Sequence, residues 1–139
     1  MKFGYIGLGN MGGAIAKRML LSQELIVFDL SEKIRNEFSE LGAHTTSTIT
    51  EVGAAADVIF LCLPTSNDVR EVIFGPNGLL STMKNGIICD MTTGDPVLTR
   101  QMADELPTGI SLVDAPVSGG PAGATAGTLA IMVLSLIHI

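Results

Sequence analysis

The feature that most narrows what this chain can fold into is a run of glycines set directly behind a short apolar stretch. Phe3–Ile6 reads as a strand, Gly7-Leu8-Gly9-Asn10-Met11-Gly12 follows it as G-x-G-x-x-G, and an amphipathic helical segment runs near Met11–Ser22. Each glycine has a physical task in such a strand–turn–helix. Gly7 permits the tight turn, Gly9 lets a ligand reach the backbone, and Gly12 lets the helix pack closely on the sheet. The helix then opens with free N–H groups and the positive end of its dipole, an arrangement suited to phosphates.

A second strand, Leu25–Phe28, ends in Asp29. That is where a carboxylate accepting both hydroxyls of a ribose belongs, so loop and acid together predict a bound dinucleotide. A carboxylate there repels a 2′-phosphate, and the next residues, Leu30 and Ser31, bring no arginine. The expected cofactor is therefore NAD, with NADP second.

Strands and helices alternate through the rest of the chain. Ser31 reads as the N-cap of a helix to Leu41, stopped by Gly42. A weak strand falls near Ala43–Thr45, and Thr48 opens a short helix to Ala55. Val58–Leu63 is almost continuously apolar, as a strand buried on both faces should be, and Pro64 ends it. Helices over Asn67–Phe74 and Leu79–Met83, a strand at Ile87–Cys89, a helix from Pro96 to Leu106 and a strand at Ser111–Asp114 complete the pattern. The pattern predicts an α/β fold, a doubly wound and mostly parallel sheet of Rossmann type, in one domain.

Composition agrees and excludes other classes. The chain has 139 residues, 47% of them hydrophobic, enough to bury a core. Its net charge of −6 repels polyphosphate backbones and anionic membranes, and no apolar run is long enough to span a bilayer. Neither a nucleic acid nor a membrane is expected as a partner. Cys62 and Cys89 lie inside apolar runs without metal-ligand spacing, so no metal is expected and both read as reduced core thiols of a cytoplasmic protein. His44 reads as a loop residue.

Polar residues gather at the predicted C-terminal strand ends: Asp29, Pro64-Thr65-Ser66, Asp90, Thr92-Thr93 and Asp114. Each suits a turn or cap, but ligands of doubly wound sheets bind at that edge. With Leu63-Pro64, Asp90-Met91-Thr92-Thr93 and Asp114-Ala115-Pro116-Val117-Ser118-Gly119-Gly120, the chain resembles the β-hydroxyacid dehydrogenase family from Met1 to about Val133. The resemblance continues through Gly123-Ala124 and Gly127-Thr128-Leu129; Thr92 stands where the family usually has Ser. It implies hydride transfer between a nicotinamide and a small β-hydroxy acid of the 3-hydroxyisobutyrate kind. Gly7, Leu8, Gly9, Asn10, Met11, Gly12, Asp29, Leu63, Pro64 and Thr93 would hold the cofactor. Ser118, Gly119 and Gly120 would hold the carboxylate of a small-molecule substrate, as a hydroxyl beside consecutive backbone N–H groups can.

The resemblance also implies an all-helical domain behind this one, carrying the catalytic lysine and the contacts of a homo-oligomer. None of Lys2, Lys17, Lys33 and Lys84 occupies the lysine's place, so no catalytic residue is expected within the chain, which should be inactive by itself. Residues 1–133 read as the dinucleotide-binding domain, truncated before the helical one. Leu134-Ser135-Leu136-Ile137-His138-Ile139 coincides with the translation of a sequencing adapter, CTGTCTCTTATACACATC, and reads as a non-native tail over 134–139. Two other readings remain: an imine reductase or 6-phosphogluconate dehydrogenase relative, and a non-catalytic dinucleotide-binding module. Asp29 disfavours the NADP that the phosphogluconate enzymes use, and the 114–120 stretch disfavours the other two.

Overall fold

A computed structural model of the chain describes residues 1–135. Six strands run parallel: β1 (Phe3–Ile6), β2 (Leu25–Phe28), β3 (His44–Thr45), β4 (Val58–Leu61), β5 (Gly86–Asp90) and β6 (Ile110–Asp114). Their order across the sheet is β3-β2-β1-β4-β5-β6. Helices α1 (Asn10–Leu20), α2 (Glu32–Glu40), α3 (Ile49–Ala55), α4 (Ser66–Phe74) and α5 (Pro96–Glu105) alternate with them. Beyond β6 come β7 (Val117–Ser118), α6 (Gly120–Ala126), β8 (Ala130–Ile131) and β9 (Leu134–Ser135). Strands β7 and β8 pair as a small antiparallel ribbon, and β9 adds to the main sheet antiparallel to β6.

The period of two along each strand divides the core. Ile6, Phe28, Ile59, Leu61, Ile88 and Leu112 face one side and pack with Val69 and Ile73 of α4 and Met102 of α5. Tyr5, Leu25 and Val27 face the other, against Ile15 and Ala16 of α1 and Phe38 of α2. Each fully buried large side chain contributes about 1.5–3 kcal/mol of transfer free energy, so both clusters are needed to hold helices on both faces.

Strand order reverses between β1 and β4, where neighbouring connections leave toward opposite faces and open a crevice. Two glycines make the chain path there possible. Gly7 has φ +97°, and a side chain on it would strike the Cys62 carbonyl. A Cβ on Gly12 would collide with the Gly7 carbonyl oxygen and lie 3.1 Å from the Cys62 Cβ, so α1 sits on the β1–β4 seam at backbone contact.

Several boundaries differ from the sequence reading. Strand β4 stops at Leu61 rather than Leu63: Cys62 N–H still donates to the Ile6 carbonyl, but Leu63 N–H turns to the Thr92 hydroxyl. His44 is an exposed strand residue paired with Ile26, not a loop residue. Helix α4 begins one residue early because Thr65 and Asp68 form a capping box. The segment read as a helix over Leu79–Met83 is a single 3-10 turn, Leu79–Ser81. The glycine-rich stretch after Asp114, given no element from sequence, holds β7 and α6. Of the expected tail, Leu134 and Ser135 pair with β6, and residues 136–139 lie outside the described residues.

The close packing at Gly12 gives a direct test. Gly12→Ala should lower the unfolding free energy by about 1–3 kcal/mol, the usual result of overpacking a close contact. Urea denaturation measures this, and an unchanged midpoint would mean that α1 does not need the backbone contact.

Candidate functional site

The crevice at the β1–β4 seam is a cleft of about 780 Å³. One wall is the glycine loop, through Gly7, Gly9, Asn10, Met11 and Gly12; another is Phe28-Asp29-Leu30; the third is Cys62-Leu63-Pro64 with Glu71 and Val72 of α4. Sequence reading named most of these, because G-x-G-x-x-G and the strand-end acid are local patterns and Leu63-Pro64 is part of the family resemblance. Glu71, Asp68, Ile49 and the Pro76-Asn77-Gly78 turn were missed. They carry no local signature and reach the cleft through the packing of α3 and α4.

Capping chemistry separates α1 from its neighbours. Helices α2, α3, α4 and α5 begin with a side-chain cap from Ser31, Thr48, Thr65 or Asp95. Helix α1 has Gly9 as its N-cap, with no side-chain cap and no acid in its first turn. Its leading N–H groups therefore lack the usual internal acceptor and face the cleft with the dipole's positive end. A Cβ on Gly9 would meet nothing within 4 Å, so bare backbone borders open space there. These features fit a pyrophosphate, which needs N–H donors at close approach.

Asp29 is fixed from two sides. One carboxylate oxygen accepts from Leu8 N–H at 2.8 Å and the other from Ser31 N–H at 2.9 Å. Carboxylate oxygens have further lone pairs, so a diol can still bind. The Leu8 side chain does not line the cleft; it is buried in the core, and only its amide takes part, through Asp29.

The loops after β4 and β5 are tied together. Buried Asp90 accepts from Thr92 N–H at 2.9 Å, the Thr92 hydroxyl accepts from Leu63 N–H at 3.0 Å, and buried Ser66 accepts from Asp95 N–H at 2.8 Å. Asp90, Thr92 and Ser66 thus hold Leu63-Pro64 in place, and exposed Thr93 follows them along the same edge. Thr93, Ser118, Gly119 and Gly120 stand outside the cleft wall, past the ends of β5 and β6. Ser118 and Gly119 are exposed, and α6 opens behind them, again without a side-chain cap.

Titratable groups crowd beneath this edge. Burial pushes the Cys62 thiol up, with Asp90 adding to the effect, and carries the Cys89 thiol to about 11. The Tyr5 phenol is raised, mainly by burial, and its hydroxyl has no hydrogen-bond partner among the described residues. Asp90 and Asp114, paired in register across β5 and β6, are both raised, each chiefly by burial.

With the geometry known, comparison with other proteins places the chain. Residues 2–135 match the family described as the NAD binding domain of 6-phosphogluconate dehydrogenase, and the chain belongs to that family. Over 136 residues it is 43% identical to the 2-(hydroxymethyl)glutarate dehydrogenase of Eubacterium barkeri, covering 96% of this chain and 45% of that protein. It is 40% identical to the mitochondrial 3-hydroxyisobutyrate dehydrogenase of Mus musculus, covering 94% of this chain and 40% of the relative. The 3-hydroxyisobutyrate dehydrogenase of Mycobacterium tuberculosis, solved with L-serine, superposes with a TM-score of 0.85 at 29% identity, over 95% of this chain and 45% of that one. The chain thus spans less than half the length of these relatives. Among the described residues no helix is long and apolar enough to cross a membrane.

Raised carboxyl groups fix the sign of one pH effect. Asp90 and Asp114 keep their protons to higher pH when folded than when unfolded, so their contribution to stability is lost as pH rises through the folded values. Thermal midpoints recorded upward from about pH 4 should therefore fall less steeply for Asp114→Asn than for the wild type. Parallel curves would show that Asp114 is not strained by its burial.

Proposed function

We propose that the chain is the NAD-binding part of an oxidoreductase that moves hydride between a nicotinamide and a small β-hydroxy acid or its semialdehyde. The observation that carries this reading is Asp29, clamped by Leu8 and Ser31 N–H groups on the cleft wall opposite Pro64 and beside the uncapped start of α1. Asp29 would accept the adenosine ribose hydroxyls. Gly7, Gly9, Asn10, Met11 and Gly12 would surround the pyrophosphate, and Leu63, Pro64 and Thr93 would position the nicotinamide half. Ser118, Gly119 and Gly120 would receive the substrate carboxylate, with an exposed hydroxyl and backbone N–H groups as donors.

The bound nicotinamide supplies or takes the hydride; this chain's residues bind and orient. No residue of the chain is assigned the proton transfer, and the lysine that the family resemblance calls for would belong to a further domain. Absence of a general acid–base typically lowers rates by about 10²–10⁴, so we propose that these 139 residues bind dinucleotide without useful turnover. The parent would be a homo-oligomer. Unpaired Cys62 and Cys89, half-buried in apolar surroundings, suit a reducing compartment, and we place the protein in the cytoplasm.

The reading is tested by titrating the chain with NADH and following nicotinamide fluorescence, which no Trp contaminates. Saturable binding is expected. Asp29→Ala should weaken it by about tenfold or more, as the loss of hydrogen bonds to a charged group implies. A folded chain that does not bind NADH, or binds it equally well without Asp29, would contradict the assignment.

A further inference from the structure

We infer that Glu71 reads the base of the bound dinucleotide: its carboxylate accepts the exocyclic amino group of adenine and rejects a base with a carbonyl in that place. This rests on the dinucleotide reading of the cleft and extends it to the base. Asp29 would hold the adenosine ribose, and the glycine loop the pyrophosphate that leads away from it. The base then continues from the ribose into the part of the cleft that neither takes up. The rest of the lining includes Leu30, Ile49, Val72 and Pro76, all apolar, and two carboxylates of α4, Asp68 and Glu71. Apolar walls suit the faces of a flat ring, and a placed polar group suits its edge.

The two carboxylates differ in what they already do. Asp68 is engaged in capping its own helix, accepting from Thr65 N–H at 3.1 Å and from the Thr65 hydroxyl at 2.8 Å. Glu71, one turn on, accepts no side-chain hydrogen bond and joins no ion pair among the described residues; the neighbouring Arg70 is paired with Glu105 at 2.6 Å. Glu71 is exposed on the cleft wall, and a Cβ on Gly75 would lie 2.7 Å from its Oε1.

An anion left on the wall of a site for two phosphates opposes binding unless it meets a donor. A carboxylate can only accept. Adenine joined to ribose offers one donor, its amino group, among ring nitrogens that accept. Hypoxanthine carries an oxygen in place of that amino group, and acceptor would face acceptor. The competing explanation is that Glu71 only folds back over Gly75 at the end of α4.

The experiment titrates NADH and reduced nicotinamide hypoxanthine dinucleotide into the 139-residue chain and its Glu71→Ala and Glu71→Gln variants, following nicotinamide fluorescence. Circular dichroism confirms that each is folded. Both dinucleotides carry the same charge, so a change in phosphate repulsion cancels in the ratio of their dissociation constants. The wild type is expected to bind NADH about tenfold more tightly, the low end for a hydrogen bond to a charged group, because Glu71 is exposed. Glu71→Ala should abolish the preference by removing the acceptor. Glu71→Gln should abolish it by tightening the hypoxanthine dinucleotide, since an amide donates as well as accepts. If the wild type shows no preference, or the preference persists in either variant, Glu71 does not read the base while the dinucleotide reading stands. If the folded wild type binds neither dinucleotide, the dinucleotide reading fails and the role of Glu71 with it.

Discussion

The structure depends on backbone meeting backbone at the β1–β4 seam. Because Gly12 carries no side chain, α1 can sit against the Gly7 carbonyl and the start of the loop after β4. This contact brings the first N–H groups of α1 to the edge of the sheet, and it opens the cleft where the strand order reverses. A methyl group at Gly12 would strain this contact, so stability and site geometry would suffer together. The same glycines therefore serve packing and function, and neither role can be separated by looking at the loop alone.

Asp29 couples this seam to the rest of the molecule. Its hydrogen bond to Leu8 N–H joins the end of β2 to the glycine loop, and its bond to Ser31 N–H joins it to the start of α2. Two charge-assisted bonds orient the carboxylate before any ligand arrives, so little reorganisation is needed on binding. On the other side of the cleft, Asp90 and Thr92 play a comparable part for Leu63-Pro64. The site is thus built from loops whose positions are set by half-buried Asp29, buried Asp90 and the Thr92 hydroxyl together with the glycines of the loop itself.

That division explains what could be read from sequence. The parallel α/β fold, the glycine loop, Asp29 and the caps at Ser31 and Thr48 follow from spacing and residue type, and the structure has them as expected. Long-range consequences were not legible. Nothing in the sequence near Leu8 says that its side chain is buried while its amide serves Asp29. Nothing near Arg35 says that it returns to the Asp29 carbonyl, or near Glu71 that α4 carries it to the cleft. The stretch after Asp114 was the least legible, because a short helix rich in Gly and Ala carries almost no amphipathic signal.

The central claim is that a dinucleotide lies along the C-terminal edge of the sheet with its phosphates at the start of α1. Its most direct test is an amide chemical-shift titration of the chain with NADH. The account predicts the largest shifts at Leu8, Gly9, Asn10 and Met11 of the glycine loop and at Ser31, with little change at the opposite edge around Lys2, Gln23 and His44, where a second cavity lies. Shifts centred on that opposite cavity, or none in a folded chain, would contradict it.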